Sequence, residues 1–101
     1  IDVDETLSRA VARQLGVQGA AVLRVQQGGT GERAGLRGVR VERRNTIVPG
    51  DVIVAVDGKE VDSGALLSAR LDDYKPGDTV RLTVWREGKE IELTAQLQQG
   101  S

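Results

Sequence analysis

The chain has 101 residues, with 14 Lys plus Arg against 15 Asp plus Glu for a formal charge of -1, 39% hydrophobic and 29% charged residues, and neither Cys nor His. That length holds one modest core, and the near-neutral balance supplies no basic field for a phosphate backbone, which excludes nucleic acid as a partner. Disulfide and thiol chemistry are excluded, no apolar run approaches the roughly 20 residues that cross a bilayer, and the opening IDVDETLSRA has neither the basic nor the hydrophobic part of a targeting signal.

Because the chain opens on Ile, it is expected to be a piece of a longer protein. Asp4 is placed to cap a helix over Glu5 to Leu15, whose apolar Leu7, Val11 and Leu15 recur every four residues before Gly16. AAVLRV, from Ala20 to Val25, reads as a strand closed by the turn-forming QQGGTG. In GERAGL, Glu32 to Ala34 make a helical turn ended by Gly35, and Leu36 plugs the core. VRVERRNTIV, Val39 to Val48, alternates apolar and charged residues and predicts an exposed hairpin-like excursion.

VPGDVIVAVDGKEV, Val48 to Val61, brackets a short β-branched run between two turns. Pro49 and Gly50 make the first, with Asp51 expected to hydrogen-bond the backbone beyond it, and VIVAV reads as a central strand covered on both faces. Asp57-Gly58 is a strong tight-turn pair, and Lys59 to Val61 returns briefly before Asp62 or Ser63 caps the next helix. That helix, ALLSARLDDY, carries Leu67, Leu71 and Tyr74 on one side, with Arg70 and Asp73 on the other, and KPGD stops it. TVRLTVWR turns Val80, Leu82 and Val84 to one face, Glu87-Gly88 makes a hairpin, and KEIELTAQL turns Ile91, Leu93, Ala95 and Leu97 inward.

Chemistry is scarce. Ser8, Ser63, Ser68 and Ser101 have no histidine to act as base, so no catalytic residue is assigned. Asp4-Glu5 and Asp72-Asp73 lack the spacing of a calcium loop, and zinc has no His or Cys, so neither metal nor cofactor is expected. QQGGTGER matches a phosphate loop only in composition, and Trp85 and Tyr74 are too few for base stacking. A small sheet with a strand open beside a helix leaves the capture of an extended peptide as the work to expect.

At AGL, GDVIVAVDG and KPGD, together with RQLGVQGAAVLRV and TVRLTVWREGKEIELTAQL, the chain resembles the PDZ domain that follows the protease domain in HtrA/Deg serine proteases, over nearly its whole length. The resemblance implies an α+β, mostly β fold: one partly open β-sandwich over residues 1–101, capped by two helices, with 98–101 as a disordered tail. It also implies a peptide-binding module that captures C-termini or extended segments of substrate or regulatory polypeptides for an attached protease, in a bacterial periplasm or cell envelope or an organelle lumen. Carried over position by position, Ile1 ends the carboxylate-binding loop, and Ile1, Asp2 and Val3 form the strand that pairs with the peptide. Leu67, Ser68 and Leu71 line the pocket for its terminal side chain. Gly64 falls near the helix position that reads the third residue from the peptide's end, where it offers no side chain. The alternative is a structural module between domains or subunits, its groove filled by the protein itself. Leu67 and Leu71 are equally what any amphipathic helix would bury.

Overall fold

The computed structural model describes residues 2–42, 46–48 and 50–97. Ile1, Pro49, the tip Arg43 to Asn45 of the excursion and the tail 98–101 lie outside the described residues. The elements run in the order β1 (Asp2–Val3), α1 (Glu5–Leu15), β2 (Ala20–Arg24), α2 (Thr30–Ala34), β3 (Arg40–Glu42), β4 (Thr46–Val48), β5 (Val52–Val56), β6 (Lys59–Glu60), α3 (Gly64–Leu71), β7 (Thr79–Arg86) and β8 (Lys89–Gln96). The main sheet is antiparallel in the order β1-β2-β5-β7-β8, with β6 paired to β5, while β3 and β4 form a separate hairpin where the excursion is expected. The architecture is mostly antiparallel and open, as the resemblance implies.

The period of two in the strands sorts their side chains between two cores. Ala20, Val22, Ile53, Leu82 and Val84 enter the larger cluster with Leu67 of α3, whereas Ala21 and Val52 face the other way, toward Val11 of α1. Val56 should fall on the Val52 face, yet it joins Ile53. The reason is a register shift: Ile53 pairs with Val84 and Ala55 with Thr83, leaving Val54 as the extra residue of a bulge. Both faces of β5 are therefore covered, although Val54 and Ala55 are only half-buried. Each of the fully buried Val, Ile and Leu side chains contributes about 1.5–3 kcal/mol on leaving water.

Local signals set the boundaries. The Asp4 carboxylate accepts the Leu7 N–H at 2.8 Å and Gly16 closes α1 in the left-handed region, whose last turn leaves Leu15 exposed at 46%. Asp57 and Gly58, like Glu87 and Gly88, both hold positive φ, which gives two-residue turns matched to the twist of the strands they join. Trp85 is half-buried against the smaller cluster, a packing residue.

Two readings are corrected. The second long helix ends at Leu71, short of Tyr74, because the Asp72 N–H makes the last helical bond, to Ser68 O, and the Tyr74 N–H then reaches back only three residues, to Leu71 O. Asp51 does not bond the backbone beyond it: its carboxylate accepts the Arg37 N–H at 3.0 Å and meets the Arg86 guanidinium.

Candidate peptide groove

β1 is a margin. On one side it pairs with β2, Asp2 opposite Arg24 and Val3 opposite Val22, and the Asp4 N–H extends the contact to Ala21 O at 3.1 Å. On the other side it has no strand partner among the described residues. Such an edge leaves main-chain donors and acceptors free to pair with an added strand.

α3 lies beside that margin. Ser63 starts it, its hydroxyl accepting the Leu66 N–H at 3.1 Å, and Leu67, at 3% exposure, roots it in the larger core. Between the two opens a cavity of about 160 Å³, lined by Leu67, Ser68, Leu71 and Asp72 of the helix, Val3 of the strand, and Thr30 and Leu97 from the far wall. Four of its lining side chains are apolar, Val3, Leu67, Leu71 and Leu97, and three carry hydroxyl or carboxylate groups, a combination suited to one apolar side chain of a chain passing over it.

Of the residues singled out from the sequence, the fold brings Val3, Leu67, Ser68 and Leu71 to this one cavity. Asp2 precedes Val3 in β1, and Ile1 lies outside the described residues. Gly64 stands one helical turn away, where a Cβ would lie 3.0 Å from Val3 Cγ2 and 2.8 Å from Glu5 Oε1. The Gly64 N–H donates to that Glu5 oxygen at 3.0 Å.

Thr30, Asp72 and Leu97 were missed. Thr30 sits in what reads as a loop, but it opens α2 and is 2% exposed. Leu97 shows its inward period in the sequence, yet only its exchange of hydrogen bonds with the KPGD turn, Gly77 N–H to Leu97 O and Leu97 N–H to Asp78 O, both 2.8 Å, brings it under α3.

The walls are tied back by the two turns around β5. At the first, Arg86 bridges Asp51 to Gly35 O at 2.8 Å and so holds the end of α2, the helix that carries Thr30. At the second, the Tyr74 hydroxyl donates to Asp57 Oδ2 at 2.5 Å, and the Arg81 N–H donates to Oδ1 at 2.7 Å. The Tyr74 bond, aided by the Arg81 amide, holds the Asp57 carboxyl below the usual range and pushes the Tyr74 phenol up. The chain leaving α3 is thereby anchored to the end of the central strand.

Among the described residues no group of three or more His, Cys, Asp or Glu is arranged to hold a metal ion, and no helix is long and apolar enough to cross a membrane.

The profile of the PDZ domain family matches residues 4–97. The chain belongs to the PDZ domain family. Its relatives include Protease Do-like 8, chloroplastic, of Arabidopsis thaliana, 42% identical over 92 residues that cover 90% of this PDZ domain and 20% of that protein. Another is a probable periplasmic serine endoprotease, DegP-like, of Rhizobium meliloti, 32% identical over 96 residues, 92% of this chain and 17% of that one. Among solved structures, the HtrA-type protease AlgW with a decapeptide superposes with a TM-score of 0.70 at 27% identity, covering 97% of this PDZ domain and 27% of that chain. The chain thus spans a fifth or less of the length of these two relatives.

Proposed function

We propose that this PDZ domain is a non-catalytic module that captures C-termini or extended segments of substrate or regulatory polypeptides for an attached HtrA-type serine protease. The carrying observation is the margin of β1, without a strand partner among the described residues, beside a cavity of about 160 Å³ walled by Val3, Leu67, Leu71 and Leu97. The guest adds one more strand to β1, its main chain supplying affinity, and one apolar side chain enters between Leu67 and Leu71. Support comes from the relatives, which are proteases by name and in one case a serine endoprotease, and from AlgW, an HtrA-type protease solved with a decapeptide. The compartments in the relatives' names, a periplasm and a chloroplast, favour an envelope or organelle lumen as the workplace.

The experiment is a titration of short peptides ending in an apolar residue, followed by amide chemical shifts, with the chain extended upstream of Ile1 by the rest of the carboxylate-binding loop that its resemblance implies. Saturable shifts at Val3, Leu67, Ser68 and Leu71 are expected. Their absence refutes the reading, and light scattering that shows self-association reversed by peptide would instead assign the groove to a segment of the protein itself.

A further inference from the structure

The groove is not uniform along α3. At the Leu71 end it opens into the cavity, whereas at the Gly64 end β1 and α3 are almost in contact, since a single added methyl at Gly64 would touch both Val3 and Glu5. Gly64 and Ser68 are four residues apart on α3, about 6 Å along its axis. Alternate side chains of an extended guest are spaced about 6.6 Å apart. When the guest runs antiparallel to β1 and one of its side chains fills the cavity, the side chain two residues before it lies over Val3 and Gly64. It finds no pocket there. What it meets is the Glu5 carboxylate, whose Oε1 is engaged by the Gly64 N–H while Oε2 has no hydrogen-bond partner among the described residues.

The charge along the cavity has one sign. Asp72 closes the cavity at the other end and no lysine or arginine lines it. Around Glu5 the neighbouring depression also presents Asp62 and Arg9, and among the described residues Arg9 makes no ion pair with Glu5.

Resting on the peptide-groove reading, we propose that Glu5 is the charge-selecting residue of this PDZ domain, favouring Lys or Arg two positions before the side chain that fills the cavity. The aliphatic stem of that Lys or Arg lies over Val3, and its head reaches Glu5 Oε2. Gly64 is what leaves room for it, because any side chain there would push Glu5 aside.

The test uses labelled peptides that share an apolar terminal residue and differ only in Lys, Ala or Glu at the third position from the end, measured by fluorescence polarisation at low and high salt. Lys is expected to bind about threefold tighter than Ala and Glu about threefold weaker, the spread shrinking with salt, as for an exposed ion pair. Glu5→Gln should bring the three affinities together. Equal affinities in the native chain, or a spread that survives Glu5→Gln, overturn the role of Glu5 and leave the groove standing. Failure of all three peptides to bind overturns the groove itself, and the inference with it.

Discussion

The Asp51 carboxylate, 1% exposed, is gripped by both a terminal and the inner nitrogen of Arg86, at 2.6 and 2.7 Å. This pair joins the turn that leads into β5 to the end of β7, and a third Arg86 hydrogen bond, to Gly35 O, reaches the close of α2. A carboxylate this buried is tolerable only with its charge matched and its oxygens hydrogen-bonded.

Removing the cation is therefore expected to hurt more than removing the pair. Arg86→Ala should cost about 3–5 kcal/mol in urea unfolding, because it strands the Asp51 charge. Arg86→Ala with Asp51→Ala should cost less than the sum of the single changes, a coupling that a double-mutant cycle reads directly.

Gly50 gives a second expectation, one rooted in backbone rather than charge. A Cβ there would lie 2.3 Å from both Arg37 O and Gly38 O. Neither atom is the end of a flexible side chain, so Gly50→Ala forces the two segments apart and should lower stability by about 3 kcal/mol or more. Gly58→Ala, with open space around its Cβ, carries only the cost of its positive φ and should be milder. Thermal melts of the two variants side by side check the order.

The Asp57 and Tyr74 bond makes stability depend on pH at both extremes. Asp57 titrates lower when folded, so its contribution is complete above the unfolded carboxyl value near about 4 and is lost as pH falls through the lower folded one. Tyr74 titrates higher when folded, so its contribution is complete below about 10 and is lost as pH rises through the higher folded value. Tyr74→Phe should be less stable than the native chain across the neutral plateau, with the difference shrinking at each end. Chemical denaturation at a series of pH values measures it.

Two neighbours on α3 should separate folding from binding. Leu67, 3% exposed, belongs both to the larger core and to the cavity, and Leu67→Ala should cost about 2–4 kcal/mol of stability. Ser68 lines the same cavity but is exposed, so Ser68→Leu should stay within about 0.5 kcal/mol in stability while obstructing the cavity and lowering peptide affinity about tenfold or more. Urea unfolding and peptide titration on both variants would expose the error if Ser68→Leu bound peptide as the native chain does.

Much of this protein is local, and local features are written in the chain. The capped start of α1 at Asp4, the left-handed stops at Gly16 and Gly35, the Asp57-Gly58 and Glu87-Gly88 turns and the alternation of β7 and β8 follow from the conformational preferences of a few adjacent residues. The lack of a histidine base is read from composition alone. The candidate positions Val3, Leu67, Ser68 and Leu71 came from resemblance, since periodicity could not tell a groove wall from an ordinary buried helix face.

Tertiary structure decided what depends on partners far apart in sequence. Asp51 looked like a turn residue because its partner Arg86 lies 35 positions away, and Val56 changed face because a bulge at Val54 is a property of the pairing with β7. Thr30 and Leu97 became cavity walls, and Glu5 met the Gly64 amide across 59 positions, only when loop and sheet closures brought them together. Local preferences are settled by neighbouring dihedrals and caps, whereas a groove is the space left between elements whose separation is fixed by the packing of the whole core.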